Sequence, residues 1–242
     1  MPIVHPPPRG LEWLQGETPH KQLSRLRASG ALRKVLPEVD ALYGIPQTPE
    51  HHPEVDTGSH IELTLEAAAL LSNDPAVRFA ALVHDLGKAL TPRNELPQHI
   101  DHEKAGLKPV GEVCERFKVP ADWRELALLV CEHHLSVHRA FEMAARSVIR
   151  LFDNAGLVER PMLVEPFLLA VEADKRGRAG RLNAAYPQGA YLREAFAVLA
   201  GMPMPRNAEQ VSREWQVAHM QRVSAVEPIR RKHLLAKDAL VQ

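Results

Sequence analysis

Residues 79–88, FAALVHDLGK, place a histidine and an aspartate at the end of an otherwise apolar helical run. A fold that buries this run must provide a partner for Asp85. A desolvated, unpaired carboxylate costs several kcal/mol or takes up a proton instead. A divalent cation resolves that conflict, because imidazole nitrogen and carboxylate oxygen both ligate borderline ions such as Ni, Co, Zn, Mn or Fe. A hydrogen-bonded histidine beside an exposed aspartate would give the same dipeptide, so the pair has to be read with its surroundings.

Those surroundings are helical. Few runs alternate between apolar and polar residues as a half-buried strand would, and the class expected is all-α. Residues 1–20, rich in Pro, Gly and polar side chains, are expected to be a poorly ordered lead-in, with one helical domain over 21–242. Leu23, Leu26, Leu32 and Val35 fall near helical spacing, with Gly30 as a weak point. A proline-rich loop follows over 37–58, with a short turn at Ala41–Tyr43. The next helix, through IELTLEAAALLS (61–72), can be capped by Ser59 with Glu62 or by Asp56 or Thr57. Asn73-Asp74-Pro75 interrupts it, AVRFAALVHDL (76–86) resumes, and Gly87 ends that run. Further helices are expected at Glu103–Phe117, Asp122–His134, Ala144–Asn154, Met162–Asp174, Gly189–Ala200 and Ala208–Val226.

On this scaffold the thirteen histidines concentrate between His51 and His138. His60 opens one helix, and Asp174 closes another after the apolar stretch PFLLAVEAD. With His84 and Asp85 they are four candidate metal ligands on different helices, each beside core-facing residues and able to converge in a bundle. His102 and the pair His133-His134 are candidates for a second ion, with Asp85 as a bridge. Adjacent helical residues point about 100° apart, so His134 is preferred over His133. His99 reads as a loop residue, His51 and His52 as exposed loop residues, and His5, His20, His219 and His233 as surface residues.

Composition narrows the alternatives. Thirty basic and thirty acidic residues balance, so no global positive field draws the chain to nucleic acid. Cys114 and Cys131 lack CxxC spacing. Two free thiols and a cytoplasmic setting are expected, not a disulfide framework or a zinc ribbon. The opening MPIVHPPPRG has no apolar run, so no signal peptide is expected, and no stretch is apolar enough for a membrane span. No Gly-x-Ser-x-Gly elbow is present, and neither cysteine has an evident histidine partner.

The order His60, His84-Asp85, Asp174 resembles the signature of HD-superfamily phosphohydrolases. The segments LPEVDALYGIPQTPEHHPEVDTGSH, FAALVHDLGK and EADKRGRAG are similar to the C-terminal HD domain of bacterial tRNA nucleotidyltransferases, over about residues 18–226. The resemblance implies an HD-domain helical bundle with one or two divalent ions (Ni, Co, Mn, Mg, Zn or Fe, often nickel). It also implies 2′,3′-cyclic phosphodiesterase, 2′-nucleotidase or phosphatase activity. His60, His84, Asp85 and Asp174 match the four signature positions, and His102 and His134 match further histidines of that domain. The nucleotidyltransferase head has no counterpart here. No Gly-Gly-rich strand-turn opening or Asp-x-Asp pair occurs, so nucleotide addition to tRNA is not expected.

The expected substrate is a nucleotide or RNA 3′-end phosphoester. Asp85 would be both ligand and acceptor for the proton of an attacking water, with His102 or His134 protonating the leaving oxygen. Lys88, one helical turn beyond His84, is expected to reach the phosphate, the alternative being a solvated lysine at a helix end. Arg176 and Arg178, in KRGRAGR, are candidate phosphate forks beside glycines that let backbone approach a ligand; Arg181 fits a solvated loop better. The readings kept open are an HD nucleotidase for deoxynucleotides or 5′-monophosphates and a non-catalytic RNA-binding helical module. An apolar face on the C-terminal helices is compatible with a homodimer.

Overall fold

The computed structural model describes residues 5–202, 204 and 212–239. Among them the regular structure is helical, with one isolated β-bridge between Pro46 and Asp56. The chain divides into two compact units, Met1–Leu135 with Pro166–Ala184 and Ser136–Glu165 with Ala185–Gln242, where the sequence suggested one domain.

The first unit opens with α1 (Pro19–Ala28), α2 (Leu32–Val35) and α3 (Pro37–Asp40). The break expected at Gly30 is present, and its φ of 71° is a left-handed conformation that glycine adopts without penalty. The lead-in is more structured than its composition suggests. Leu11 and Leu14 are fully buried, and the guanidinium of Arg78 donates to Leu14 O (2.7 Å) and Gly16 O (2.9 Å). A distant arginine that ties down local carbonyls leaves no trace in local composition.

Next come α4 (Thr57–Leu71) and α5 (Pro75–Val83). Asp56 is the residue that caps α4, its Oδ1 accepting from Ser59 N at 2.8 Å, and Asp74 caps α5 through Ala76 N at 2.8 Å. Then follow α6 (His102–Phe117), α7 (Ala121–His138), α8 (Ala145–Asn154) and α9 (Val164–Arg176). Four buried alanines, Ala67 and Ala68 of α4, Ala81 of α5 and Ala173 of α9, form one cluster. Side chains this small let three helices approach closely. The cluster lies three residues from His84 in sequence and one from Asp174, which is how the packing sets the site.

The second unit holds α8, α10 (Pro187–Ala200) and α11 (Arg213–Ala239). Arg222 of α11 is buried and forms a bidentate pair with Asp153 of α8, at 2.7 and 2.8 Å. The last helix was expected over Ala208–Val226. Residues 208–211 lie outside the described residues, and the helix continues through Pro228 to Ala239. Val217 and Met220 are exposed on it. Among the described residues no helix is long and apolar enough to cross a membrane. Cys114 and Cys131 are buried free thiols.

Candidate metal centre

His60, His84, Asp85, His102, His134 and Asp174 meet in the first unit, all of them buried. His60 comes from the first turn of α4, and His84 from the end of α5. Asp85 leaves that helix with φ −106° and ψ 14°, so the two neighbours diverge in direction. Gly87 then lets the chain press against the start of α6, since a Cβ there would overlap the His102 carbonyl. Gly177, just past α9, plays the same part against Thr64 of α4. Of the glycines in KRGRAG expected to let backbone approach a ligand, Gly177 is packed against this helix, whereas a Cβ at Gly180 would meet nothing within 4 Å.

Each imidazole is turned the same way. Its Nδ1 faces a backbone carbonyl: His60 to Gly177 O (3.0 Å), His84 to Ala81 O (2.8 Å), His102 to His99 O (2.7 Å) and His134 to Val130 O (3.1 Å). A carbonyl only accepts, so Nδ1 carries a proton in each ring, and every Nε2 faces a common centre, where a neutral ring offers its lone pair. His60 Nε2 lies 3.0 Å from Asp174 Oδ1, and His84 Nε2 lies 3.3 Å from Asp85 Oδ2. His102 Nε2 lies 3.3 Å from Asp85 Oδ1, and His134 Nε2 3.7 Å from the same oxygen. Two three-ligand groups result, His60-His84-Asp174 and His84-Asp85-His134, each with ligand atoms within 4.8 Å of one another.

This donor set fits a divalent ion. His84 Nε2 and both Asp85 oxygens are buried without a partner in hydrogen-bond geometry. Acceptors facing acceptors require positive charge between them. The Lys88 ammonium, 2.6 Å from Asp85 Oδ2, and protons on the imidazoles can supply part of that charge. Burial pulls His60 down, but hydrogen bonds to Asp174 and Glu54 outweigh it and raise the ring to about 9. For His134 burial prevails and lowers it to about 3. Burial works against the Asp85 carboxylate too, yet His84, Lys88 and His102 hold it well below the usual range.

The other candidates separate. Lys88 is buried, its Nζ 2.6 Å from Asp85 Oδ2 and donating to Gln47 Oε1 at 2.6 Å, so it is not a solvated lysine. His133 is turned out of the cluster, with its Nε2 3.8 Å from Glu132, as the helical rotation dictates. Arg176 pairs with Glu172 one turn back on its own helix, while Arg178 lies near His52, whose protonation is disfavoured chiefly by burial and only slightly by that arginine. His99 bonds to Pro46 O (3.0 Å) and supplies the carbonyl that orients His102. His52, expected to be exposed, is mostly buried against Glu54, with its Nδ1 2.9 Å from Oε1. The sequence reading missed Gln47 and Glu54. Both lie in the proline-rich loop, where no periodicity marks a buried position, and the carboxylate between a histidine pair and a helix cap was the only signal.

The HD domain family model matches residues 57–175. The chain is 46% identical over 197 residues to a multifunctional CCA protein of Halorhodospira halophila, covering 81% of this chain and 48% of that one. It is 48% identical over 186 residues to the same-named protein of Alkalilimnicola ehrlichii, covering 77% and 45%. A third, from Acinetobacter baumannii, is 45% identical over 186 residues, with the same coverage. The chain thus spans about half the length of the curated relatives it matches. Residues 57–175, which hold the buried histidine–aspartate cluster on an all-helical scaffold, are an HD domain, and the chain is similar to about half of the multifunctional CCA proteins.

Proposed function

We propose that this chain is a metal-dependent phosphohydrolase acting on phosphoesters of nucleotides or RNA 3′ ends, of the 2′,3′-cyclic phosphodiesterase, 2′-nucleotidase or phosphatase type. The observation that carries this reading is the convergence of four Nε2 atoms on the Asp85 and Asp174 carboxylates in a buried centre. His60, His84, Asp85 and Asp174 would hold a divalent ion, with His102 and His134 grouped at Asp85 Oδ1 for a second. A bound ion supplies the charge that acidifies a water and neutralises phosphate oxygens.

The chain's own residues do the rest. Asp85, whose oxygens lie within 3.7 Å of the Nε2 atoms of His60, His84, His102 and His134, is the carboxylate best placed to take the proton of the attacking water. Lys88, fixed by Gln47, keeps positive charge beside Asp85 and acts on the phosphate as a point charge. When it is not a ligand, a protonated His102 donates from Nε2 to the leaving oxygen. Burial lowers its proton affinity, but the Asp85 carboxylate more than compensates. Arg178 is the arginine we favour for the substrate phosphate, because Arg176 is committed to Glu172.

The test is hydrolysis of 2′,3′-cyclic AMP with added Ni, Co or Mn, beside 2′-AMP, 5′-AMP and deoxynucleotides. Metal-dependent turnover of the first two is expected, with a loss of at least a hundredfold in His84→Ala and Asp85→Ala, the order that effects on transition-state charge stabilisation reach. Full metal-dependent turnover in either variant would refute the assignment.

A further inference from the structure

The loop between α3 and α4 brings a third carboxylate to the back of the centre. Glu54 has a side chain only 4% exposed, with both oxygens engaged. Its Oε1 lies 2.9 Å from His52 Nδ1 and 3.1 Å from His60 Nδ1, and its Oε2 accepts from Ala179 N at 3.2 Å. An ionised carboxylate only accepts, so both rings present Nδ1–H to it. The His60 proton is shared between Glu54 and the Gly177 carbonyl at 3.0 Å. His84 and His134, by contrast, rest on backbone carbonyls.

A second observation concerns the backbone. Val55, the next residue, has φ 60°, a left-handed conformation that is costly for a β-branched side chain. Its side chain is 41% exposed, so burial of Val55 does not explain the strain. Its carbonyl is held by Gln47 N at 2.6 Å, and the following residue, Asp56, caps α4. The strained residue lies between the cap that starts the His60 helix and the carboxylate that contacts His60. Strain retained at such a place is a mark of a constrained functional position.

We propose that Glu54 is a positioning residue that fixes the tautomer and raises the basicity of His60, and thereby sets the affinity of the centre for a divalent ion. A carboxylate behind a ligating imidazole increases electron density at the opposite nitrogen and locks the ring plane. Through Ala179 N the same carboxylate ties the loop after Asp174 to the loop before His60, so ligands from α4 and α9 are oriented together. This rests on the metal-centre reading given above.

The test is titration of the full chain with Co(II), following its visible absorption and, in parallel, the helical circular dichroism of the protein. Glu54→Gln keeps size and an acceptor but removes the charge. It is expected to weaken Co(II) binding ten- to a hundredfold and to shift the absorption bands, with the dichroism unchanged. Glu54→Asp, which retains the charge, is expected to stay within a few-fold of the original affinity and serves as the comparison if the glutamine variant loses its fold. Equal Co(II) affinity of the original chain and Glu54→Gln overturns the inference alone, as does an aspartate variant that folds but binds a hundredfold more weakly. An original chain that binds no Co(II) overturns the metal-centre reading and this inference with it.

Discussion

His102 Nε2 and His134 Nε2 lie 3.3 Å apart, although both rings direct Nδ1–H at backbone carbonyls and, when neutral, face each other with lone pairs. Two acceptors at this separation repel unless a cation or a proton lies between them. The ring orientations are set by helix geometry and the carbonyls, so the centre is preorganised for positive charge before any arrives.

Adding Mn, Co or Ni to chelator-treated protein should therefore raise its melting temperature. At an ion concentration about a hundred times the dissociation constant, the gain is about 2.7 kcal/mol. Asp174→Asn removes one negative charge at nearly constant shape and should lose most of that gain. Thermal melts with EDTA and with added ion are the measurement. Superimposed curves for the original chain would count against a metal centre.

Gly177→Ala should destabilise the first unit by about 1–3 kcal/mol, since its new methyl group must displace Thr64 of α4. The shift would also carry the Gly177 carbonyl away from His60. Urea unfolding gives the first effect and Co(II) affinity the second. A neutral substitution would mean that the approach of this segment to α4 is slack.

Val55→Asn should stabilise the chain by about 1 kcal/mol, because asparagine tolerates the left-handed region that valine resists. The position is exposed enough that little packing is lost. A midpoint in urea that does not move, or falls, would show that valine carries no strain here.

Cys114 should react slowly with thiol reagents. Burial pushes its thiol up to about 11, with Arg124 offsetting this only in part. Labelling in the native state should accelerate about tenfold per pH unit up to that value, because the thiolate is the reacting form. The folded pKa lies above the unfolded one, so the associated stability is full below about pH 9 and fades as pH rises through about 11. Cys114→Ala should flatten that decline in unfolding experiments. Fast labelling of native protein at pH 7 would contradict the burial.

Local sequence carried much of the helical reading. Asp74-Pro75 marks a helix start through a side-chain cap and a residue without N–H, and α5 begins there. His134 could be preferred over His133 from the helical period alone, and the two do diverge. Harder to see was anything fixed by a partner far away in the chain. Arg78 orders Leu14 and Gly16 from 62 or more residues away, and Lys88 is buried because Gln47, 41 residues earlier, accepts from it. Glu54 belongs to the same class.

By itself the sequence determined the helical class, the main helix starts and the types of ligand available, because capping, proline and apolar period act within a turn or two of chain. Which ligand atoms face one another was decided by tertiary structure alone. Alanines at the α4, α5 and α9 contact and glycines at 87 and 177 fix helix separations, and those separations place Nε2 and carboxylate oxygens within ångströms of each other. Such distances depend on packing between segments as much as 117 residues apart, which no local pattern encodes.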